Sequence, residues 1–407
     1  METEKKYGPQ WVKSPIKLTI GILVSNNIKT IRRCLDSLQP ILKAVKSELI
    51  IVDTVGEEQS DGSLAIAKEY TDKVYHFDWC NDFAAARNIC LDNANGEWFL
   101  YVDDDEWFDD AKEIIEFFNS EDCDKYFQGV YQIRNYDADG NYTVATVSRL
   151  FRRTASMRFV GKVHETVTEA YLPKKMISVV AGHSGYAFQT DEERQKKQQR
   201  NIGILEQEIK EEGLDSSRAA QMVQELLSRP KTAAAGFEQC LKYIGKLAPT
   251  GQLNLPSGQW LLLASARYFS IVKNYEELFY QAEWLRKNFR LSQTAELALA
   301  VTVIFPAVEK DRMDLVEQYA KIYFKSWDWI KSHEEDALLQ LQLDFAAFLD
   351  EGYYQKIIYI AAVTANYNNK YYLANEYLMR LPWQQEDFKC GRFAKILEQT
   401  LEGLKKI

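Results

Sequence analysis

The stretch 97-EWFLYVDDDEWF-108 decides how the first half of this 407-residue chain is read. EWFLYVD (97–103) reads as a buried strand, and it runs into four acidic side chains in a row, Asp103 to Glu106. Like charges so placed repel one another unless something neutralises them. Spacing alone leaves two answers open. The acids form a solvated helix start, since DDAKEIIEFF follows and carboxylates are favourable in a first turn, or they are ligands. Asp103 and Asp105 lie two apart, so in an extended segment they point the same way and Asp104 the other. Two hard oxygen ligands with room for phosphates and waters suit Mg2+ or Mn2+ rather than zinc.

Around this stretch, apolar runs alternate with helical patterns. KLTIGILVS (17–25), ELIIVD (48–53) and KVYHF (73–77) read as strands. IKTIRRCLDSLQPILKAV (28–45) has helical spacing at Ile31, Leu35, Leu38 and Leu42, DGSLAIAKEY (61–70) starts a helix with Asp61 as its cap, and DFAAARNICLDNA (82–94) is a third helix. The alternation implies βαβ units and a mainly parallel sheet with helices on both faces. Ligands of such sheets bind outside the carboxyl ends of the strands, where Asp53 and Asp103 both arrive; Asp53 by itself also suits an ordinary strand-end turn. From about Phe127 to Val180, GVYQIRNY and YTVATVSRLF flank DADGN (137–141) as a hairpin, a smaller mixed or antiparallel extension of the sheet.

After about Thr190 the strand signals nearly vanish. DEERQKKQQRNIGILEQEIKEEG is a charged helix with an apolar stripe at Ile202, Leu205 and Ile209. KNYEELFYQAEWL, KDRMDLVEQYAKIY and EGYYQKIIYIAAV then recur at intervals of about forty residues, the range of helix-hairpin repeats. Such hairpins must stack to bury their apolar faces. The expected organisation is a polar tail (1–15), an α/β domain (16–190) and an all-α repeat domain (191–407) whose edge offers a protein-binding or self-association surface.

Composition sets the outer limits. A hydrophobic content of 46% and a charged content of 27% are those of a globular protein. Net charge of −9 and a pI near 5.3 argue against nucleic acid and anionic membrane surfaces as partners. METEKKYGPQWVKSP has no apolar signal region, no run approaches the roughly 18 apolar residues of a membrane span, and the six cysteines form no C-x-x-C pair. A cytoplasmic protein with reduced thiols is expected. Neither G-x-S-x-G nor G-x-x-x-x-G-K-[ST] occurs, so no covalent nucleophile or phosphate loop is indicated.

GILVSNN, IIVDT with SDGS, NDFAAARNICLDNANGEWFLYVDDDE, RLFRR, GKVHE and HSGY occur in order over residues 18–188. Together they resemble a family-two glycosyltransferase of GT-A fold, a Rossmann-like α/β architecture. The nearest likeness is to enzymes with a C-terminal tetratricopeptide-like domain, including the sublancin-type peptide S-glycosyltransferases. The ordered set favours ligands over a solvated helix start for the acidic run.

The resemblance implies roles residue by residue. Asp103 and Asp105 match the family's D-x-D, which binds a divalent metal (Mn2+ or Mg2+) and the nucleotide-sugar diphosphate, and Asp104 between them would join the nucleotide-sugar contacts. Asp53 matches the aspartate that contacts the base, usually uracil. Arg87 and Asn88 match the A-R-N segment beside the nucleotide, with Asp82 just upstream. Arg149, Arg152 or Arg153 of SRLFRR would stabilise the leaving diphosphate. In GKVHE, Glu165 and His164 are the candidates for the base that deprotonates the acceptor. His183 of AGHSGY resembles the family's His-x-Gly-Tyr and is an additional metal ligand candidate, while Tyr186 and Trp107 could flank the sugar. The activity so implied is inverting, metal-dependent transfer from a nucleotide sugar such as UDP-glucose or UDP-GlcNAc to a Cys, Ser or Thr side chain of a peptide. Surface polysaccharide or glycolipid acceptors, and an inactive sugar-nucleotide-binding scaffold, are the competing expectations. The helical domain would recruit the acceptor or hold a homodimer.

Overall fold

The computed structural model describes residues 9–171, 173–185, 190–334, 336–337, 348–349, 351–383 and 391–406. They form two compact units, Met1–Gly213 and Leu214–Ile407.

Strand β1 (Leu18–Val24) is buried along its whole length, as a strand covered on both faces must be. It lies between β2 (Ser47–Asp53) and β4 (Trp98–Asp103), parallel to both, and β3 (Val74–His76) extends the parallel set beyond β2. Helix α1 (Ile31–Ala44) buries Ile31, Cys34, Leu35, Leu38 and Ile41 on one face of the sheet. Helices α2 (Ser63–Lys68) and α3 (Phe83–Asp92) complete the crossovers, with α3 packing on the opposite face through Ala84, Ala86, Cys90 and Leu91. The cap of α2 differs from expectation. Gly62, at φ 104°, holds the cap position, and Asp61 stands one residue earlier, accepting from the Ser63 backbone at 3.0 Å.

The chain order reverses at β1, so β1 and β4 form the topological switch point of the sheet. Beyond β4 the sheet turns antiparallel. Strands β6 (Gln128–Tyr136) and β7 (Tyr142–Arg152) form the expected hairpin, its turn tied by Asp137 Oδ1 accepting from Asp139 and Asn141. The full order is β3-β2-β1-β4-β7-β6-β10-β5, with β5 (Glu106–Phe108) antiparallel to β10 (Lys174–His183) at the far edge.

That order forces a curl. Three strands separate β4 from β5, a distance of about 19 Å in a flat sheet at about 4.8 Å per strand. The chain from Asp103 to Glu106 can span only about 10 Å. The sheet therefore rolls around the acidic run, and strands β7, β6 and β10 all present their ends to it. The small pair β8 (Phe159–Val160) and β9 (Thr166–Val167) carries GKVHE in its loop.

Helix α4 (Lys112–Asn119) and the one-turn α5 (Asp122–Lys125) follow β5, and α6 (Asp191–Glu212) closes the first unit. The sequence reading divided the chain at 190; α6 instead groups with the α/β unit because it bonds to that unit's loops, Lys197 Nζ to the Gly185 carbonyl and Glu208 to the Lys162 N–H. Its buried positions are Gln198, Asn201, Ile204, Leu205 and Glu208, a more polar stripe than the expected Ile202, Leu205 and Ile209.

The second unit is helical among its described residues: Ser216–Leu227, Pro230–Leu247, Pro256–Ile271, Tyr275–Asn288, Gln293–Glu309, Met313–Ser332, Glu351–Tyr367, Tyr371–Leu378 and Gly391–Leu404. Three hairpins share one turn. Lys273, Asp311 and Asn369 each adopt a left-handed conformation, at φ 55–56°. The next N–H bonds five residues back each time: Asn274 to Phe269, Arg312 to Ala307 and Lys370 to Ala365. This is the Schellman closure of a helix end. The repeat seen in sequence is thus a repeat of turns. The helix at Glu351 opens its hairpin, whereas those at Tyr275 and Met313 close theirs.

Candidate active site

The crevice outside the carboxyl ends of β1 and β4 is closed by hydrogen bonds from the acidic run itself. Asp104, buried, accepts from the Ser25 backbone at 2.8 Å, Ser25 Oγ at 3.0 Å and Asn27 Nδ2 at 2.7 Å. It therefore organises the loop after β1. Burial, with Asp105 beside it, pushes its carboxyl up to about 7. Asp104 was expected to face the nucleotide sugar; its oxygens serve the protein instead.

Asp103 points the other way, into two arginines. One oxygen accepts from Arg87 Nη2 and the other from Arg149 Nη2 at 3.0 Å. Burial would raise this carboxyl, but the Arg149 and Arg87 guanidiniums hold it well below the usual carboxylate range. Arg149 also donates to Glu106 at 2.9 Å, and Arg87 Nε donates to Glu165 Oε1. Both guanidiniums lie against the Tyr101 ring, 4.5 and 4.4 Å from its centroid. Two cations thus stand side by side because Asp103 bridges them and an aromatic face supports both. Glu106, buried, is pushed up to about 7 by burial, with Asp103 adding repulsion that Arg149 opposes.

Asp105 meets His183, carboxylate to Nε2 at 3.4 Å. The register that pairs β10 with β5 sets His183 opposite Glu106. His183 Nδ1–H donates to Asn135 Oδ1 at 2.7 Å, which fixes the tautomer with Nε2 facing Asp105. Burial lowers the His183 pKa, but the Asp105 carboxylate more than offsets it and the ring titrates above its ordinary range. Both donor atoms converge on Gly185, where an added Cβ would stand 2.4 Å from His183 Nε2 and 2.6 Å from Asp105 Oδ2.

The remaining expected residues divide. Asp53 is buried and accepts from the Val55 and Gly56 N–H groups at 3.1 and 2.9 Å and from His76 Nδ1 at 2.9 Å. His76 is therefore tied to the candidate base-contacting aspartate, and Asp53 with Asp78 raises its pKa. Asp82 caps α3, accepting from Ala85 N at 2.8 Å. Asn88 spends both ends of its amide on the Phe159 backbone, at 3.0 and 2.9 Å, and so anchors β8 rather than facing a ligand.

Arg152 does not join the site. The register sets it opposite Trp98, the first residue of β4, where it bonds the Asp124 carbonyl at 3.3 Å and covers the Trp11 and Phe127 rings. Arg153 binds the Gly96 carbonyl at the same end. His164 and Glu165, the candidate bases, lie in the loop between β8 and β9, with His164 exposed at φ 55°. Trp107 is buried against Gly182 and stacked by Tyr136, so it packs the core. Tyr186 lies outside the described residues. Asn135 joins the site without having stood out in the sequence, since only the β6–β10 register brings it there, while Ser25 and Asn27 of GILVSNN enter as the partners of Asp104.

Residues 19–178 match the family model described as glycosyl transferase family 2. Among curated relatives, glycosyltransferase SunS of Bacillus subtilis is 28% identical over 206 residues, covering 47% of this chain and 45% of its own. A TPR repeat-containing protein of Synechococcus elongatus is 30% identical over 167 residues, covering 38% and 36%. The chain thus spans less than half the length of these relatives. Among solved structures, S. aureus TarS residues 1–349 is 17% identical with a TM-score of 0.33, covering 65% of this chain and 87% of that one.

Proposed function

We propose that this chain transfers a sugar from a UDP-linked donor to a Cys, Ser or Thr side chain of a peptide, with inversion and with a divalent metal. The observation that carries the reading is the Asp105–His183 pair, set beside the arginine-held Asp103 at the switch-point crevice. An imidazole nitrogen whose other nitrogen is tied down, next to a carboxylate, is a donor set that suits Mn2+ better than Mg2+. Among the described residues no three His, Cys, Asp or Glu side chains are arranged to hold an ion. Diphosphate oxygens and water would supply the other ligands, as is usual for a nucleotide-bound metal. When bound, the ion would neutralise the departing diphosphate.

The chain's own residues do the rest. Asp53 and its His76 partner stand where the base would lie, at the ends of β2 and β3. Arg149 and Arg87 keep Asp103 ionised and fixed toward the crevice. Glu165, oriented by Arg87, takes the acceptor proton as the nucleophile attacks the anomeric carbon and the UDP leaves. The peptide acceptor rests on the resemblance to sublancin-type enzymes, and recruitment of it, or dimerisation, falls to the helical unit. No helix among the described residues is long and apolar enough to cross a membrane.

Calorimetric titration of UDP-glucose and UDP-GlcNAc, with and without Mn2+, tests the donor half. The Asp105→Ala/His183→Ala chain is expected to lose Mn2+-dependent affinity by about 100-fold or more. Binding indifferent to metal and to both substitutions would remove the metal from the reading.

A further inference from the structure

The reading above leaves unexplained why α6, the most highly charged helix of the first unit, buries a glutamate. Glu208 is 2% exposed, and its Oε2 accepts from the backbone N–H of Lys162 at 3.4 Å. One turn on, Glu211 takes the Lys162 ammonium. Lys162 is thus gripped by backbone and side chain from one helix. Its carbonyl in turn accepts from Phe83 N, the first residue of α3, at 2.8 Å. The gripped residue sits between Gly161 at φ 91° and His164 at φ 55°, so the loop makes two left-handed turns around it. Glu165 follows immediately, and α3 carries Arg87, the residue that Glu165 meets.

The other end of the same helix reaches the opposite side of the crevice. Lys197 Nζ bonds the Gly185 carbonyl at 3.1 Å, at the residue on which Asp105 and His183 converge. Lys197, Asn201, Ile204, Glu208 and Glu211 follow one another at intervals of three and four, and so share a face. Eleven residues separate Lys197 from Glu208, about 16 Å of helix. A single rigid element therefore touches the loop that bears the candidate base and the segment that bears the candidate metal ligand.

We infer that α6 is a positioning element of the transfer site, and that Glu208 is its working residue: through the Lys162 N–H it sets the pose of the 161–165 loop and hence of Glu165 against Arg87. The inference rests on the functional reading above, since the pose matters only if Glu165 acts on a substrate. Glu208 touches no reacting atom. Its effect should fall on turnover, with donor binding spared.

The test uses the full chain, with UDP-glucose and UDP-GlcNAc plus Mn2+ as donors and water as acceptor, so that slow hydrolysis is the readout. Hydrogen exchange of residues 159–167 is measured alongside without any ligand. Glu208→Ala is expected to raise exchange in that segment at least tenfold while the parallel strands stay protected. Hydrolytic kcat should fall at least tenfold, with donor Kd changed less than twofold. Glu208→Gln retains an acceptor oxygen for the Lys162 N–H and should recover most of kcat. A merely structural role would not produce that split or that rescue. Should Glu208→Ala fail to fold, Lys162→Ala, which removes only the partly exposed pair with Glu211, is expected to lower kcat about threefold and raise exchange in the same segment. Loop exchange and kcat indifferent to these substitutions, in a wild type that turns over, would overturn the inference. A wild type that binds no nucleotide sugar would overturn the functional reading beneath it, a distinct result.

Discussion

At the amino end of β4, Glu97 bonds Lys17 at 2.8 Å, Glu48 is enclosed by Thr19, Lys73 and Asn95, and Arg153 binds the Gly96 carbonyl. At the carboxyl end of the same strand, Asp103, Glu106 and Glu165 share Arg87 and Arg149, while Asp104 is held by Ser25 and Asn27 and Asp105 meets His183. The first end is locally balanced, each carboxylate having its own partner. The second carries five carboxylates against two guanidiniums and the His183 imidazole, and burial pushes two of the acids up to about 7. A surplus of buried acid is costly to keep unless something of opposite charge is to arrive. On the proposed function, the contrast separates charge that holds the fold from charge that would meet the metal and the diphosphate.

The comparison can be broken from the ligand side first. Arg87→Met would leave Asp103 and Glu165 buried without their shared cation. It is expected to destabilise the chain by about 3–5 kcal/mol in denaturant unfolding, the cost of halving a buried pair. A loss under about 1 kcal/mol would mean that the crowded end tolerates imbalance as a surface does.

Glu48 sharpens the other side. Burial would raise its carboxyl, but hydrogen bonds from Lys73, Thr19 and Asn95 bring it down from 4.5 to about 2. A folded-state value below the unfolded one contributes stability that is full above 4.5 and lost as the pH falls toward 2. Glu48→Gln should therefore cost about 2 kcal/mol at neutral pH, allowing for solvent screening of the half-exposed Lys73. It should also flatten the stability curve across that acid window. Parallel wild-type and variant curves between pH 2 and 5 would show that Glu48 is not the group responsible.

The smallest effect is expected at Arg152. Its substitution by Ala removes cover from Trp11 and Phe127, at a cost of about 1 kcal/mol in unfolding. Donor Kd should change less than twofold. A tenfold loss of UDP-sugar binding in Arg152→Ala would dissolve the distinction between the two ends.

Much of this was legible in the chain. The continuous apolar runs of β1, β2 and β4 declare strands buried on both faces, and DADGN declares the turn that returns β7 against β4. Asp103, Asp105, Arg87, Glu165 and His183 carry chemistry that can be read as residue types. The choice between Arg149 and Arg152 could not be made locally. They stand three apart on one strand, and only the pairing of Leu150 with Leu100, residues fifty apart in sequence, assigns one to each end. The same holds for Asn135, delivered to His183 by the β6–β10 register. Helix α6 falls with the helical half in sequence because the strand signals end before it, and what ties it to the first unit is its partners.

The two-residue turn at Asp104 and Asp105 also acts as a drawstring. It ties the centre of the sheet to its far edge, so its length sets the bore of the curl. One inserted residue would let out up to about 3.5 Å of chain. Every side chain of the site would survive such an insertion, yet Asp105 would drift from His183 and Glu106 from Arg149, and Mn2+-dependent nucleotide binding should go with them. Spacing within the acidic run is thus a mechanical tolerance as well as a chemical motif. The identity at Asp104, whose oxygens face the protein, is freer to vary than the number of residues that carry it.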